Sequence, residues 1–276
     1  MTPAVFQQKH EAWLQCLFTS FMISDEKLKS ELYDLSQILF RHMRWIAREL
    51  QQEEQDYAYD RSRGLHTFDT VSDALEALSV SLRDLIQTYP DTPLSSRMAT
   101  DENYILSRLS LWRDQAESFA DITAFNRHRT LPGKSLDRSQ TDALTLFLFE
   151  ESYKEYELIL IYAYMQNKSQ NLDERDIYQD LIDESHFHLK SFGNLMAQMG
   201  ILALPRPLHE HTYRIEDVEA FIRAGITEEE NAKEQCRSLA EAVKDEELSV
   251  FFDFINYQES YHIELMRKLL NQSFPK

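Results

Sequence analysis

The sequence is poor in the residues that shape turn-rich β-proteins. Its 276 residues include only 5 glycines and 7 prolines, which is few for an all-β chain and ordinary for a helical one. The two cysteines, Cys16 and Cys236, lie far apart and form no metal-binding spacing. We therefore expect a reduced, cytoplasmic protein.

Long apolar runs and positive charge are also scarce. The run 158-LILIYAYM-165 is far shorter than the roughly 18 residues of a membrane span. The N-terminus lacks the basic start and apolar middle of a signal peptide. The formal net charge of −18 would repel phosphates, so we expect neither nucleic acid nor a membrane as a partner.

Helical periodicity is what the chain has in abundance. Hydrophobic residues make up 43% of it, and they recur three and four positions apart in two sets of segments. We read Gly225 as an interruption, with a fresh helix near Thr227, and 201–213 as a long crossover connection. The pattern predicts an all-α protein with helices at about 4–23, 27–57, 67–89, 101–124, 140–168, 172–199, 215–243 and 246–271.

A polar, basic stretch divides the two sets of helices. The segment 126-NRHRTLPGKSLDRSQ-140 contains Pro132 and Gly133, as a linker does. We predict an N-terminal helical domain at 1–125, a linker at 126–139 and a four-helix bundle at 140–276. A weak echo, in which His42 matches His188, suggests that the two bundles are related.

Carboxylates and histidines near the C-terminus have the spacing of metal ligands. Glu259 and His262 are three residues apart, which puts both side chains on one face of a helix about a turn apart. Asp183 and His186 repeat this spacing. A bundle that binds two metal ions takes such a pair from each of two helices and a lone carboxylate from each of the other two.

The lone carboxylates can be chosen by helix register. Glu150 lies 33 residues before Asp183, and Glu229 lies 30 before Glu259, so each separation suits one helix out and one back. The predicted ligands are Glu150, Asp183, His186, Glu229, Glu259 and His262. Three choices stay open at this point: Glu151 for Glu150, the pair Glu184 and His188 for Asp183 and His186, and Glu228 or Glu230 for Glu229.

Residues 227–270 resemble the helical hairpin of the ferritin-like di-iron carboxylate superfamily, rubrerythrins in particular. In that hairpin a Glu faces a Glu-x-x-His, the positions that Glu229, Glu259 and His262 take here. The resemblance covers about 140–271 and implies a ferritin-like four-helix bundle. The second helix departs from the family, because Asp183 replaces a Glu and His188 keeps the family's downstream spacing.

The resemblance implies two Fe ions, or a Mn/Fe pair, and an oxidase or oxygenase that uses O2 or peroxide. Carboxylate and imidazole ligands suit these metals. The chain has no Cys-x-x-Cys pair, so the rubredoxin-like module of full rubrerythrins is missing. The alternatives are an iron-binding and sequestration protein, or a metal-free helical interaction protein. The N-terminal half would shape access to the metals, pack on that bundle or form a homodimer.

Overall fold

The computed structural model describes residues 1–62, 64–115, 122 and 130–274. In these ranges the chain is helical, and the only β-type pairing is an isolated bridge between Ile23 and Ile122. The predicted all-α class is confirmed. The helices described are α1 (Pro3–Met22), α2 (Glu26–Gln52), α3 (Val71–Gln87), α4 (Pro93–Asp114), α5 (Arg138–Lys168), α6 (Leu172–Gln198), α7 (Glu210–Tyr213), α8 (Val218–Val243) and α9 (Glu246–Ser273).

The chain divides into two compact units. The first comprises 1–127 together with 200–207, and the second comprises 128–199 together with 208–276. Residues 126–129 of the predicted linker lie outside the described residues. The rest of that linker leads into α5, which begins at Arg138 with Asp137 as its N-cap.

The N-terminal unit contains α1 to α4 in an antiparallel arrangement. α1 packs on α2 and α3, and α4 packs on α3 and α2. Thr88, at the end of α3, donates to Gln8 near the start of α1 at 3.1 Å, so these helices run in opposite directions. The connection 53–70 must therefore run the length of the unit.

The C-terminal unit repeats this arrangement with α5, α6, α8 and α9. α5 packs on α6 and α8, and α9 packs on α8 and α6. Gln140, at the start of α5, donates to the carbonyl of Val243 at the end of α8 at 2.9 Å. Ser273, at the end of α9, donates to Glu174 at the start of α6 at 2.8 Å. The connection 199–217 joins opposite ends of the bundle, in agreement with the crossover expected from the sequence.

The boundaries of the first two helices in each unit differ by a constant number of residues. α1 ends at Met22 and α2 covers Glu26–Gln52, whereas α5 ends at Lys168 and α6 covers Leu172–Gln198. A constant shift of 146 residues relates all three boundaries. The same shift relates His42 to His188. The structural register thus agrees with the weak sequence echo.

One predicted helix begins earlier than expected for an identifiable reason. We predicted a helix from about 101, but Thr92 is an N-cap and Pro93 is the first residue of α4. Proline is well tolerated there, because the first helical N–H has no intrahelical partner. The end of that predicted segment, 116–121 and 123–124, lies outside the described residues.

The predicted interruption at Gly225 is absent, and α8 is continuous from Val218 to Val243. A Cβ atom at Gly225 would lie 3.3 Å from the sulfur of Met266. Glycine there allows α8 and α9 to approach closely, and this packing compensates for its low helix propensity.

None of the helices in the described ranges is long and apolar enough to cross a membrane.

Candidate metal centre

Three ligand-type side chains meet in the core of the C-terminal unit. One nitrogen or oxygen atom from each of His188, Glu259 and His262 lies within 4.8 Å of the other two, the only such group found in the described part of the chain. All three side chains are buried. The imidazole rings of His188 and His262 are 5.1 Å apart between centroids. α6 supplies the first residue, and α9 supplies the other two one turn apart.

Two further carboxylates adjoin this trio from the neighbouring helices. Glu155 of α5 accepts a hydrogen bond from Nδ1 of His188 at 2.9 Å. The same nitrogen lies 3.5 Å from Glu259. Glu229 of α8 is buried and close enough to Glu259 for their ionisation to be linked. All four long helices therefore contribute to one cluster, here called the carboxylate–histidine cluster: Glu155, His188, Glu229, Glu259 and His262.

Two buried carboxyl groups in and beside the cluster have raised pKa values. Burial and the carboxylate of Glu229 raise the pKa of Glu259 well above its usual range. Burial also raises the pKa of Glu151, on the neighbouring turn of α5, to about 7. These directions follow from grouping like charges where water is excluded. A cation bound here would stabilise the ionised form of these carboxylates.

Lys154 supplies part of the missing positive charge. Its Nζ lies 3.0 Å from Glu229 and 3.9 Å from Glu151. Burial opposes the ionisation of Glu229, but the ammonium, Glu259 and His262 together lower the pKa of that carboxyl. Burial likewise disfavours the charged form of Lys154, but Glu229 and Glu151 raise its pKa above the ordinary value. The lysine is thus held as a cation beside the cluster.

Several polar atoms of the cluster have no hydrogen-bond partner within the described ranges. They are Nε2 of His188, both ring nitrogens of His262, one oxygen of Glu155 and one oxygen of Glu259. Nδ1 of His262 is 3.2 Å from Glu259 but does not form an aligned hydrogen bond with it. Buried polar atoms are normally paired, because leaving one unpaired costs about 1–3 kcal/mol. Imidazole nitrogens and carboxylate oxygens are also the donors that Fe and Mn accept.

A tyrosine hydroxyl completes the buried surroundings. Tyr162 is buried on α5, and its hydroxyl is another polar atom without a partner among the residues described. Burial raises its pKa well above the usual value, and the nearby carboxylates of Glu229 and Glu155 raise it further. The ring of Tyr162 stacks on Tyr178 of α6 at 6.3 Å between centroids. The neutral hydroxyl is therefore available as a donor next to the cluster.

The structure gathers some of the predicted ligands and leaves others elsewhere. Glu229, Glu259 and His262 belong to the cluster. Glu150 and Asp183 are exposed, and Asp183 accepts a hydrogen bond from Gln179 at 2.8 Å.

His186 is buried outside the trio, whereas His188, the alternative that we had left open on α6, is the histidine that joins it. Glu184 is half-buried and accepts from Gln258 at 3.1 Å. Glu228 and Glu230 are exposed.

Glu155 and Lys154 were missed by sequence reasoning, although one signal was present. Glu155 and His188 are 33 residues apart, and so are Glu229 and His262. Equal separations across two helical hairpins would have favoured Glu155 over Glu150. Nothing in the sequence indicates that Lys154 turns inward, because lysine usually extends to water.

Comparisons with known proteins give no match: no protein-family model, no curated protein and no solved structure matches this chain.

Proposed function

We propose that the C-terminal unit binds Fe or Mn in its carboxylate–histidine cluster and is an oxidoreductase of the ferritin-like carboxylate class that uses O2 or peroxide. One observation carries the proposal. Two buried imidazoles and a buried carboxylate converge from two helices with ring nitrogens and a carboxylate oxygen that have no hydrogen-bond partner within the described ranges. A two-histidine, one-carboxylate set with open positions is typical of non-haem iron oxygenases.

The ligand roles follow from the contacts. His188 donates through Nδ1 to Glu155, which fixes its tautomer and leaves Nε2 as the atom that would bind the ion. His262 and Glu259 would bind from the adjacent helix. Bound Fe or Mn would supply one-electron chemistry toward oxygen at its open positions. The chain itself supplies the dry, acidic core and the neutral hydroxyl of Tyr162.

The bundle architecture supports the ferritin-like assignment. The four long helices of the unit are antiparallel to their neighbours, and one long connection, 199–217, joins the two hairpins. One crossover and inward carboxylates from all four helices are features of ferritin-like bundles. Position 185 departs from them, because Ser185 stands three residues before His188 where those bundles have a Glu.

A metal-free helical protein is the second candidate, and Lys154 favours it. An ammonium already neutralises part of the acidic core. In that case the unpaired imidazole nitrogens would serve no ligand, and the protein would act through its surface.

Metal analysis decides between these candidates. The purified chain is stripped of metal, loaded anaerobically with Fe(II) or Mn(II), desalted and analysed for metal per chain. We expect stoichiometric metal, loss of most of it in His188→Ala, and retention in His186→Ala, which removes a buried imidazole outside the trio. The reduced iron form should consume O2 with a change in visible absorption. No retained metal in the unmodified chain would contradict the proposal.

A further inference from the structure

We propose that the ammonium of Lys154 takes the place of a second metal ion, so that the chain binds one ion, at His188, Glu259 and His262. The proposal rests on the proposed function and specifies its stoichiometry. It departs from the two ions that the sequence resemblance implied.

The position of Lys154 is the first support. Its Nζ forms a 3.0 Å ion pair with Glu229 and lies 3.9 Å from Glu151. These buried carboxylates are the ones that remain for a second ion once Glu259 binds the first. The ammonium is thus held against the oxygen atoms that a second ion would need as ligands.

The distribution of imidazoles is the second support. Both histidines of the described cluster belong to the group with Glu259. In a ferritin-like bundle α6 would supply a carboxylate three residues before His188, but Ser185 stands at that position and is fully buried. A second ion would therefore have to bind to carboxylates alone, and one of those already faces the lysine.

The N-terminal unit provides an internal precedent. Lys9 of α1 is fully buried and contacts the carboxylate of Glu102, which also lies 3.1 Å from Nδ1 of His42. This fold therefore places a buried lysine against a buried glutamate that also contacts a histidine.

The test counts metal ions in the full chain and in variants of Lys154. With Mn(II) as the probe, metal analysis should give one ion per chain, and electron paramagnetic resonance should show the six-line signal of an isolated ion. Lys154→Met should bind twice as much metal, and the two ions should give the broadened signal of a coupled pair. Lys154→Arg, which keeps the charge, should still bind one. Lys168→Met, the same change at an exposed lysine of α5, is the matched control.

Each result bears on the proposal separately from the proposed function. Two ions in the unmodified chain would overturn the role of Lys154 while leaving metal binding intact. One ion in both the unmodified chain and Lys154→Met would overturn it as well. If Lys154→Met does not fold, Lys154→Gln replaces it, since its amide keeps a hydrogen-bond donor toward Glu229. No ion in any of them would overturn the proposed function and the inference together.

Discussion

Both four-helix units bury a histidine beside a glutamate, but the side chains that surround this pair differ between the two units. In the N-terminal unit Lys9, His42 and Glu102 meet. In the C-terminal unit the shift of 146 residues replaces Lys9 by Glu155 and His42 by His188. A cation of the first unit is thus an anion in the second.

The hydrogen bonds of the two histidines show the result. Both ring nitrogens of His42 face acids, Glu102 at 3.1 Å and Asp101 at 3.0 Å. His188 uses only Nδ1, and its Nε2 has no partner in the described part of the chain. Three residues after Glu102 stands Ile105, whereas His262 follows Glu259 at the same distance. The first cluster is closed by its own side chains, whereas the second has Lys154 beside it and keeps ligand atoms without a partner in the described part of the chain.

The largest expected effect comes from opening the closed cluster. Lys9→Met leaves Glu102 buried without its ammonium, and removing one partner of a buried ion pair costs about 3–5 kcal/mol. Urea denaturation should show this loss, while metal content stays that of the unmodified chain. Lys29→Met is the control, because Lys29 pairs with an exposed residue, Glu26, and should cost less than about 1 kcal/mol. An equal loss of stability in both variants would show that the buried pair with Glu102 contributes no more than the pair with Glu26.

The next largest expected effect is a difference in acid sensitivity between the two units. Burial lowers the pKa of His10 to about 3, so the folded chain keeps it neutral while the unfolded chain protonates it near its ordinary value of 6.5. The resulting stability is complete above about pH 6.5 and is lost as pH falls toward 3. Between pH 7 and pH 4 this amounts to about 3 kcal/mol.

The corresponding residue of the second unit is Tyr156, which has no such titration. His10→Phe should therefore flatten the decline of stability between pH 7 and pH 4, as followed by urea denaturation at each pH. An unchanged slope in His10→Phe would assign the acid sensitivity to other groups.

Metal should stabilise one unit and not the other. At a free metal concentration of about 100 times Kd, binding adds about 2.7 kcal/mol to the unit that binds it. Hydrogen exchange should slow in α5, α6, α8 and α9 and stay constant in α1 to α4. Equal protection of both sets of helices would contradict a site confined to the second unit.

The smallest expected effect concerns Ser185, whose counterpart in the first unit is Leu39. Its hydroxyl is buried and has no partner within the ranges described. Ser185→Ala should change stability by less than about 1 kcal/mol and leave metal affinity unchanged, as measured by competition with a chelator. A marked loss of metal affinity would indicate that the Ser185 hydroxyl binds the ion. In that case Ser185 would not serve only as a small side chain that leaves space.

Sequence periodicity predicted the helices well and the site in part. Glu259 and His262 could be found because their three-residue spacing lies within one strongly periodic helix. On α5 the stretch 150-EESYKEYE-157 offers four glutamates, and an error of one residue in helix phase selects Glu150 over the buried Glu151 and Glu155.

The same uncertainty of phase separates His186 from His188 on α6. Periodicity gives the buried face of a helix to about one residue, whereas choosing a ligand requires the neighbouring helix as well. The inward course of Lys154 depends on such a neighbour as well, since the nearer of its two carboxylates, Glu229, belongs to α8. Local sequence does not contain that information.

The division of the ligands between two hairpins has a kinetic consequence. Glu155 and His188 belong to the hairpin of α5 and α6, while Glu229, Glu259 and His262 belong to that of α8 and α9. Each hairpin can form from contacts near in sequence, but the site exists only after the connection 199–217 has brought the two together. An ion captured then strengthens contacts that form late, so it should slow unfolding while leaving the folding rate almost unchanged. In the proposed metal-bound form, separation of the hairpins would release the ion, so the lifetime of the bound ion would set an upper limit on how often the bundle opens.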